Sequence, residues 1–265
     1  MTGPTTFEDL LVERDAPIAR VTINRPAVRN ACRFRTTVEI GLAMRELEED
    51  DSIRAVVLTG AGDRAFSAGA DLKELRGKGA RERERELAEG WIASLRRIET
   101  MPKPVVAAVR GFAVGGGTEL AMACHLRVAG ESARFGQPEI LRGHIPGAGG
   151  TVRLPRLVGT GRALQYLLTG DDIPAAEAER CGLVNWVVAD AAVVETAEAV
   201  ARRIAALPAL AVQLTLQSVI GGRDCSVESA LVLEQAMCNR MRHDRDYREG
   251  LEAFADKRVP EYNRG

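Results

Sequence analysis

The sequence predicts an α/β protein with a helical region at its C-terminal end. Short apolar runs rich in β-branched residues alternate with glycine turns and helical patterns up to about residue 190. From residue 191 onward, only helical patterns remain. With 265 residues, of which 46% are hydrophobic, the chain is long enough to bury one large core. We therefore expect one continuous domain, with a mixed core over residues 1–190 and helices over residues 191–265.

The individual elements follow from local patterns along the chain. Two apolar runs flank an Asp-Ala-Pro turn signal and predict an N-terminal hairpin. A later helix should stop before the Met-Pro-Lys-Pro segment at 101–104, because proline disfavours helix continuation. The predicted strands are 7–12, 18–23, 54–59, 105–109, 126–129, 133–135 and 183–188, and the predicted helices are 36–48, 86–99, 120–124, 196–207, 210–220, 227–241 and 248–257.

The charge balance and the cysteine content exclude several classes of protein. The 36 basic and 37 acidic residues give a formal charge of −1, so no global field favours nucleic acid or an anionic membrane. No apolar run approaches the roughly 18–20 residues of a membrane helix, and the N-terminus lacks a signal-peptide pattern. The chain has five cysteines without a C-x-x-C pair and three histidines without H-E-x-x-H. We expect a cytoplasmic protein with no metal site.

Two familiar classes of active site are also absent from the sequence. No G-x-S-x-G motif marks a nucleophilic serine, and no cysteine stands in a protease signature. Neither G-x-x-x-x-G-K-[ST] nor G-x-G-x-x-G occurs. The sequence therefore gives no support for covalent acyl transfer or for a nucleotide cofactor.

Two glycine-containing turns are candidates for binding a negative charge. Residues 66–71 and 115–117 each lie between an apolar run and a helical pattern. Small residues at such positions allow backbone N–H groups to point at a ligand near a helix start, where the helix dipole favours negative charge. Two such turns could donate to one oxygen. The alternative is that each glycine only satisfies the backbone geometry of its turn.

Two glutamates stand close to these turns in the sequence. Glu119 lies just inside the helix that follows the second turn, and Glu139 follows Pro138. A pair of carboxyl groups can serve general acid–base catalysis. Each also has a structural alternative, because Glu119 would complement a helix dipole and Glu139 would suit an exposed turn. Spacing alone favours these structural alternatives.

Several long motifs, which together span almost the whole chain, decide between these interpretations. They are VTINRP (21–26), FSAGADLKEL (66–75), KPVVAAVRGFAVGGGTELAMAC (103–124), ARFGQPEI (133–140), IPGAGGTVRLPRLVG (145–159) and FADKRVPEY (254–262). In this order they resemble the enoyl-CoA hydratase/isomerase (crotonase) family. The resemblance implies a crotonase-like spiral of ββα units, in which the C-terminal helical region supports trimers that pair into hexamers.

The resemblance also implies the roles of particular residues. The backbone amides of Ala68 and Gly116 would form an oxyanion hole for the thioester carbonyl of an acyl-CoA substrate. Glu119 and Glu139 match the two acid–base glutamates of the family, with Glu119 activating a water molecule and Glu139 protonating the α carbon. Coenzyme A would enter only as part of the substrate, with no further cofactor. The CoA contacts implied are Val28, Ala68, Gly69, Ala70, Asp71, Leu72, Gly116, Phe254 and Lys257.

Some residues depart from the family pattern or keep a structural interpretation. Arg29 and Cys32 stand where apolar residues are usual in the family, which leaves the CoA-side details open. His125 is expected to have a structural role, with a catalytic role as the alternative, and His144 is expected to be a packed loop histidine, with a place in the acyl pocket as the alternative. For Lys257, a solvated position near a helix end is the alternative to binding CoA. The charged segment 80–86 is expected to form a solvated helix face, with a lid over the ligand as the alternative.

The reaction that the resemblance best supports is hydration of a trans-2-enoyl-CoA to a 3-hydroxyacyl-CoA. Adding water is served by two carboxyl groups, whereas moving one proton along an acyl chain needs only one. Double-bond isomerisation, a specialised dehydration and thioester cleavage remain alternatives on the same site. A non-catalytic CoA-binding member of the family is an alternative of a different class.

Overall fold

A computed structural model describes residues 6–263, so the first five and last two residues of the expected domain ranges lie outside it. Its larger sheet has six strands, which are parallel except for the N-terminal hairpin. In spatial order these strands are β1 (Leu10–Asp15), β2 (Ile18–Ile23), β3 (Ala55–Gly60), β5 (Val105–Val109), β7 (Leu126–Gly130) and β10 (Trp186–Val188).

A second, smaller sheet lies beside the first. Its strands are only three residues long, and the last one runs antiparallel to its neighbour. In spatial order they are β4 (Ala65–Ser67), β6 (Phe112–Val114), β8 (Arg134–Gly136) and β9 (Asp172–Pro174). The chain enters the large sheet, crosses to the small one and then forms a helical segment, and it does this three times, at β3–β4, β5–β6 and β7–β8. The fold is thus a series of ββα units.

Twelve α-helices are present in the described part of the chain. A π-helical turn, Leu87–Ile92, joins the third and fourth of them into one continuous helical segment. The helices are α1 (Phe34–Glu49), α2 (Leu72–Leu75), α3 (Ala80–Glu86), α4 (Ala93–Thr100), α5 (Gly116–Ala123), α6 (Gly150–Val158), α7 (Thr160–Thr169), α8 (Ala175–Arg180), α9 (Val193–Ala205), α10 (Ala209–Gly222), α11 (Val227–Met241) and α12 (Arg245–Ala255).

The large sheet is covered on both faces, which explains the continuous apolar runs of its central strands. Along β3, Val56 and Leu58 face the main core, whereas Val57 faces a second core on the opposite side. The second core is closed by α9, whose Ala197 and Ala201 are fully buried. Helix α9 therefore packs on the sheet, and the helices that leave the core begin at α10.

Most of the predicted elements are present, with shifted ends. Strands 18–23 and 105–109 and helix 227–241 are confirmed to the residue. The first strand was expected at 7–12 but lies at 10–15, because Asp15 pairs directly with Ile18 across a two-residue turn. Helix 120–124 begins earlier, at Gly116, and the expected helix 86–99 extends over 80–100 with the π-helical turn inside it. Strands β4, β6 and β9 and helices α6, α7 and α8 were not predicted.

Within the described residues, no single helix is long and apolar enough to span a membrane, although the bent pair Asp190–Ala205 and Ala209–Gly222 would meet that test of length and composition together.

Asn30 is a buried polar residue that fixes the loop between β2 and α1. Its Nδ2 group donates hydrogen bonds to the carbonyl oxygens of Ala61 (2.9 Å) and Ala65 (2.7 Å), and its Oδ1 accepts one from the Arg25 amide at 3.1 Å. Its φ angle of 55° lies in the left-handed region, which asparagine tolerates better than most residues.

Replacing Asn30 by alanine should lower the free energy of unfolding by about 2–4 kcal/mol, because buried carbonyl groups lose their donors. Chemical denaturation of Asn30→Ala measures this change. Glu49→Ala, at an exposed helix end, is the control and should change the stability by less than about 0.5 kcal/mol. Equal stability of the two variants would contradict this role for Asn30.

Candidate active site

Three loops of successive ββα units meet at one edge of the small sheet. The strands β4, β6 and β8 are parallel neighbours, so their carboxyl ends lie side by side. The loops that follow them carry residues 68–71, 115–116 and 137–139. They line a cavity of about 490 Å³. The topology of the small sheet therefore brings together residues that are distant in the sequence.

The first two loops pack directly against each other. Gly69 has a φ angle of +83°, and a Cβ atom built on it would lie 2.5 Å from the carbonyl oxygen of Val114 and 2.9 Å from the amide nitrogen of Gly116. A side chain cannot be accommodated at this distance. Glycine at position 69 is therefore what allows the two loops to approach.

The structure corrects the expected role of the Ala68 amide. This N–H donates a hydrogen bond to the carbonyl oxygen of Arg29 at 3.0 Å, so it is already satisfied. Beside it, the Cys32 amide donates to the Gly69 carbonyl, and the Asp71 amide donates to the Cys32 carbonyl. The Ala70 amide takes no part in these hydrogen bonds. N–H groups two residues apart point to the same side of an extended segment, but Gly69, which lies between Ala68 and Ala70, has a φ angle of +83° and breaks that pattern. The Ala68 amide therefore binds the Arg29 carbonyl, while the Ala70 amide is left unused.

Two amides beside the cavity are consequently available to a ligand. The N–H groups of Ala70 and Gly116 have no acceptor among residues 6–263, and both residues line the cavity. Gly116 is the first residue of α5, where amides lack an acceptor within the helix and the dipole favours negative charge. The ring of Trp91 covers Gly116, since a Cβ atom there would lie 2.6 Å from it. The pair forms a candidate oxyanion hole.

Glu119 lies in the first turn of α5 and is only 3% exposed. Its Oε1 accepts hydrogen bonds from the amides of Ala148 (2.8 Å) and Gly150 (2.7 Å). Burial raises the pKa of Glu119 to about 7, and the carboxylate of Glu139 acts in the same direction. The two amides and the guanidinium of Arg153 act in the opposite direction. Glu119 can therefore exchange a proton near neutral pH.

Glu139 lies on the 3₁₀ turn that follows β8, on the same cavity. Its Oε2 is buried and has no hydrogen-bond partner in the described part of the chain. Its Oε1 lies 2.8 Å from the point where a Cβ on Gly115 would stand, and the φ angle of +56° at Gly115 is one that favours glycine. Burial raises the pKa of Glu139, while Arg142 and His144 lower it. The unpartnered oxygen is therefore suited to hold or deliver a proton.

The expected CoA-side residues are only partly brought together. Ala68, Ala70, Asp71 and Leu72 line the cavity, together with Gly116, while Gly69 joins the two loops beneath it. Asp71 caps α2 and pairs with Arg25 at 3.1 Å, so its carboxylate already has partners. Outside the cavity lining lie Val28, Phe254 and Lys257.

The residues that depart from the family pattern act here mainly through their backbones. The carbonyl of Arg29 accepts the Ala68 amide, and Cys32 pairs with the loop at 69–71. Burial raises the pKa of the Cys32 thiol to about 12, so it stays protonated at neutral pH. The ring of His125 accepts the Val105 amide at Nδ1, and burial lowers its pKa to about 4. His144 is exposed and lines the cavity.

The charged segment at 80–86 forms helix α3, which is mostly exposed but also borders the cavity. Arg83 and Glu86 are among the lining residues, and Glu86 is paired with Lys78 at 2.6 Å. The solvated interpretation therefore describes one side of α3, while its other side contributes to the wall of the cavity.

Some functional candidates escaped the sequence interpretation. Gln137 is fully buried and donates to the Gly115 carbonyl at 3.3 Å, thereby linking two of the loops. Glu99 and Arg153 form a buried ion pair beside the loop that holds Glu119. All of these stand within or near motifs quoted above, but nothing in their spacing marks them as buried. Among residues 6–263, no group of three or more metal-ligating side chains is present.

Comparison with known proteins places this site in a family. Residues 13–265 match the family model described as "Enoyl-CoA hydratase/isomerase". The chain belongs to this family. A short-chain-enoyl-CoA hydratase of Clostridium acetobutylicum is 41% identical over 258 residues, which cover 95% of this chain and 96% of that protein. A crotonyl-CoA hydratase of Syntrophomonas wolfei is also 41% identical, over 252 residues, with 95% and 96% covered.

The structural comparison agrees with the family assignment. The crystal structure of an enoyl-CoA hydratase from Bacillus anthracis superposes with a TM-score of 0.93 at 37% identity, and covers 96% of this chain and 99% of that one. This confirms the expected crotonase-like fold. The ββα units and the C-terminal helices described above agree with the architecture expected for the family.

The close approach of the two loops predicts a strong effect at Gly69. Gly69→Ala should lower the free energy of unfolding by about 2–4 kcal/mol, because it combines a left-handed backbone with a clash against two backbone atoms. Gly161→Ala is the matched control, since a Cβ there meets nothing within 4 Å and the residue lies in α7. Denaturant titration compares the two variants. An equally small effect at both positions would show that the loops do not meet as described.

Proposed function

We propose that this protein is an enoyl-CoA hydratase, which adds water reversibly across the double bond of a trans-2-enoyl-CoA to give a 3-hydroxyacyl-CoA. The observation that carries the proposal is the convergence of two unused amides and two carboxyl groups of raised pKa on one cavity. Two relatives at 41% identity, named as hydratases of short-chain enoyl-CoA and crotonyl-CoA, support the same reaction.

The two amides stabilise the charge that develops on the thioester. When water attacks C3 of the enoyl group, electrons move towards the thioester oxygen, which becomes an enolate oxygen. The N–H groups of Ala70 and Gly116 donate hydrogen bonds to it, and the dipole of α5 favours the negative charge. Loss of one such donor typically costs about 3 kcal/mol of transition-state stabilisation.

The two carboxyl groups move the protons of the added water. Glu119, held ionised by the amides of Ala148 and Gly150, accepts a proton from the water as its oxygen bonds to C3. Glu139 delivers a proton to C2 through the carboxyl group whose Oε2 has no partner in the described chain. Two neighbouring carboxylates do not readily ionise together, so the pair can hold one proton in the resting site. The reverse reaction exchanges the roles.

The proposed reaction needs no metal or redox cofactor. Addition of water is not a net oxidation or reduction, because C3 gains an oxygen while C2 gains a hydrogen. No protein group changes its oxidation state. The charge on the thioester oxygen is met by amides, and the protons are carried by glutamates. Coenzyme A takes part as the carrier of the acyl group.

We further propose that residues 191–265 mediate assembly into trimers or pairs of trimers. Several large apolar side chains beyond the core are exposed, among them Val227, Val232 and Phe254, the last at 86%. An assembled neighbour would cover them. The same assembly would bring Phe254 and Lys257, and with them the outer part of CoA, towards a cavity on an adjacent subunit.

The proposed cellular location is the cytoplasm, because a reducing compartment suits five unpaired cysteines.

Turnover of crotonyl-CoA tests the reaction directly. The loss of the conjugated thioester absorbance should be observed with the native chain. Glu119→Gln and Glu139→Gln should each lower kcat by about 10²–10⁴-fold, because each removes a proton carrier. Glu131→Gln, at an exposed loop position, is the control and should leave kcat unchanged.

Oxygen labelling separates hydration from isomerisation. In labelled water, the 3-hydroxyacyl product should carry the label at C3. Conversion of a 3-enoyl-CoA without label would favour an isomerase, and release of free CoA would favour a thioesterase. Absence of turnover with short, medium and branched enoyl-CoAs would contradict the proposed function.

The pKa of Glu119 predicts the pH dependence of the reaction. Because Glu119 has to be ionised to accept a proton, kcat/KM should fall as the pH decreases through about 7. Steady-state rates with crotonyl-CoA over a range from about pH 5 to pH 9 measure this acid limb. A profile that stays flat down to about pH 5 would show that Glu119 is not the base.

A further inference from the structure

Three arginines surround the buried carboxylate of Glu99, and none of these four residues lines the cavity. Glu99, at the end of α4, is 3% exposed and accepts hydrogen bonds from Arg153 at Nε (3.2 Å) and Nη2 (3.0 Å). Arg223, which follows α10, contacts the same carboxylate at 2.6 Å, and Arg96 contacts it at 2.8 Å. Burial alone would raise the pKa of Glu99, but Arg153 and Arg223 hold it at about 2. Glu99 is therefore ionised at neutral pH.

The third nitrogen of Arg153 contacts the loop that holds Glu119. Its Nη1 donates a hydrogen bond to the carbonyl oxygen of Ala148 at 2.8 Å. The amide of Ala148 in turn donates to Oε1 of Glu119. A Cβ atom on Gly149 would lie 2.1 Å from the same Nη1, so this loop lies directly on the guanidinium. One short segment is thus held by Arg153 on one side and holds Glu119 on the other.

We propose that Arg153, oriented by Glu99, is a positioning residue for Glu119, because it fixes the 148–150 loop so that two amides point at one carboxylate oxygen. The inference rests on the proposed role of Glu119 as the base. Neither Arg153 nor Glu99 lines the cavity, so both act on the reaction only through this loop and through their charges.

The charges of Arg153 and Glu99 should both influence the pKa of Glu119. Arg153 on α6 favours the ionised form of Glu119, whereas Glu139 on the 3₁₀ turn disfavours it. Glu99 on α4 partly cancels the charge of Arg153, because the two are directly paired. Removing Arg153 therefore favours the protonated form of Glu119, and removing the charge of Glu99 favours the ionised form.

The test compares the pH profiles of two variants that change opposite charges. Arg153→Gln should lower kcat on the order of 10–10²-fold, since a misplaced catalytic group is costly, and leave KM within about twofold. Its acid limb in kcat/KM should move up by about one pH unit. Glu99→Gln should move that limb down. A purely structural pair would lower the melting temperature of both variants without opposite shifts.

Arg156→Gln is the matched control on the same helix. Arg156 lies three residues after Arg153, pairs with the exposed Asp224 at 3.0 Å and has no contact with the 148–150 loop. It should keep the native pH profile. If Arg153→Gln does not fold, Arg153→Lys serves instead, because it keeps the charge but cannot make all three contacts. It should lower kcat with a smaller shift of the acid limb.

A direct titration separates failure of this inference from failure of the proposed function. The infrared band of the protonated Glu119 carboxyl, assigned by its loss in Glu119→Gln, reports the pKa without turnover. An upward shift in the Arg153 variant supports the inference even if crotonyl-CoA is not hydrated. An unchanged band and an unchanged pH profile in a folded Arg153→Gln would overturn it, while leaving native hydration intact.

Discussion

Desolvation of Glu119 sets the acid–base chemistry of the cavity. A carboxyl group that is 3% exposed strongly favours its neutral form, and only specific donors can keep an ionised form accessible. Two amides of one loop supply these donors on a single oxygen. The other oxygen has no partner in the described chain and can face a water molecule. Burial raises the pKa of Glu119 and the hydrogen bonds from the two amides lower it, which together give a value of about 7. A group with this pKa can both take up and release a proton at neutral pH.

The geometry of the small sheet determines which residues meet at this carboxylate. Its three parallel strands are each only three residues long, yet their carboxyl ends carry the loop at Ala70, the start of α5 and the turn at Glu139. The large sheet buries the apolar strands that lead into them. In each ββα unit, the first strand belongs to the large sheet and contributes to the core, and the second strand belongs to the small sheet and positions a loop at the cavity. Three such units in succession assemble the site.

The sequence was sufficient where the signal is local. Strands β2 and β5 are apolar runs and were predicted to the residue. The three-residue strands β4, β6 and β9 are too short to show a period and were missed, whereas β8 was predicted one residue early, at 133–135. The sequence also could not show whether the Ala68 or the Ala70 amide is available to a ligand. That depends on the Arg29 carbonyl, which accepts the Ala68 amide only once the chain has folded.

Burial explains the remaining differences. Glu99 and Arg153 look like ordinary charged residues in the sequence, and only their tertiary position makes them a nearly inaccessible pair. Conversely, Arg29 and Cys32 look unusual, but their contacts with the loop at 68–71 are made by the backbone. Such backbone hydrogen bonds do not depend on the identity of the side chain, although the side chain of Cys32 also lines the cavity.

We propose that the amides of Ala70 and Gly116 and the carboxyl groups of Glu119 and Glu139 face the same acyl group. A crystal structure with a bound acyl-CoA analogue that carries an intact thioester carbonyl tests it most directly. We expect the carbonyl oxygen at about 3 Å from both amide nitrogens, with the two carboxyl groups beside C2 and C3. A carbonyl oxygen placed away from either amide, or an acyl chain that does not pass between the two glutamates, would show that these groups do not act on one acyl group.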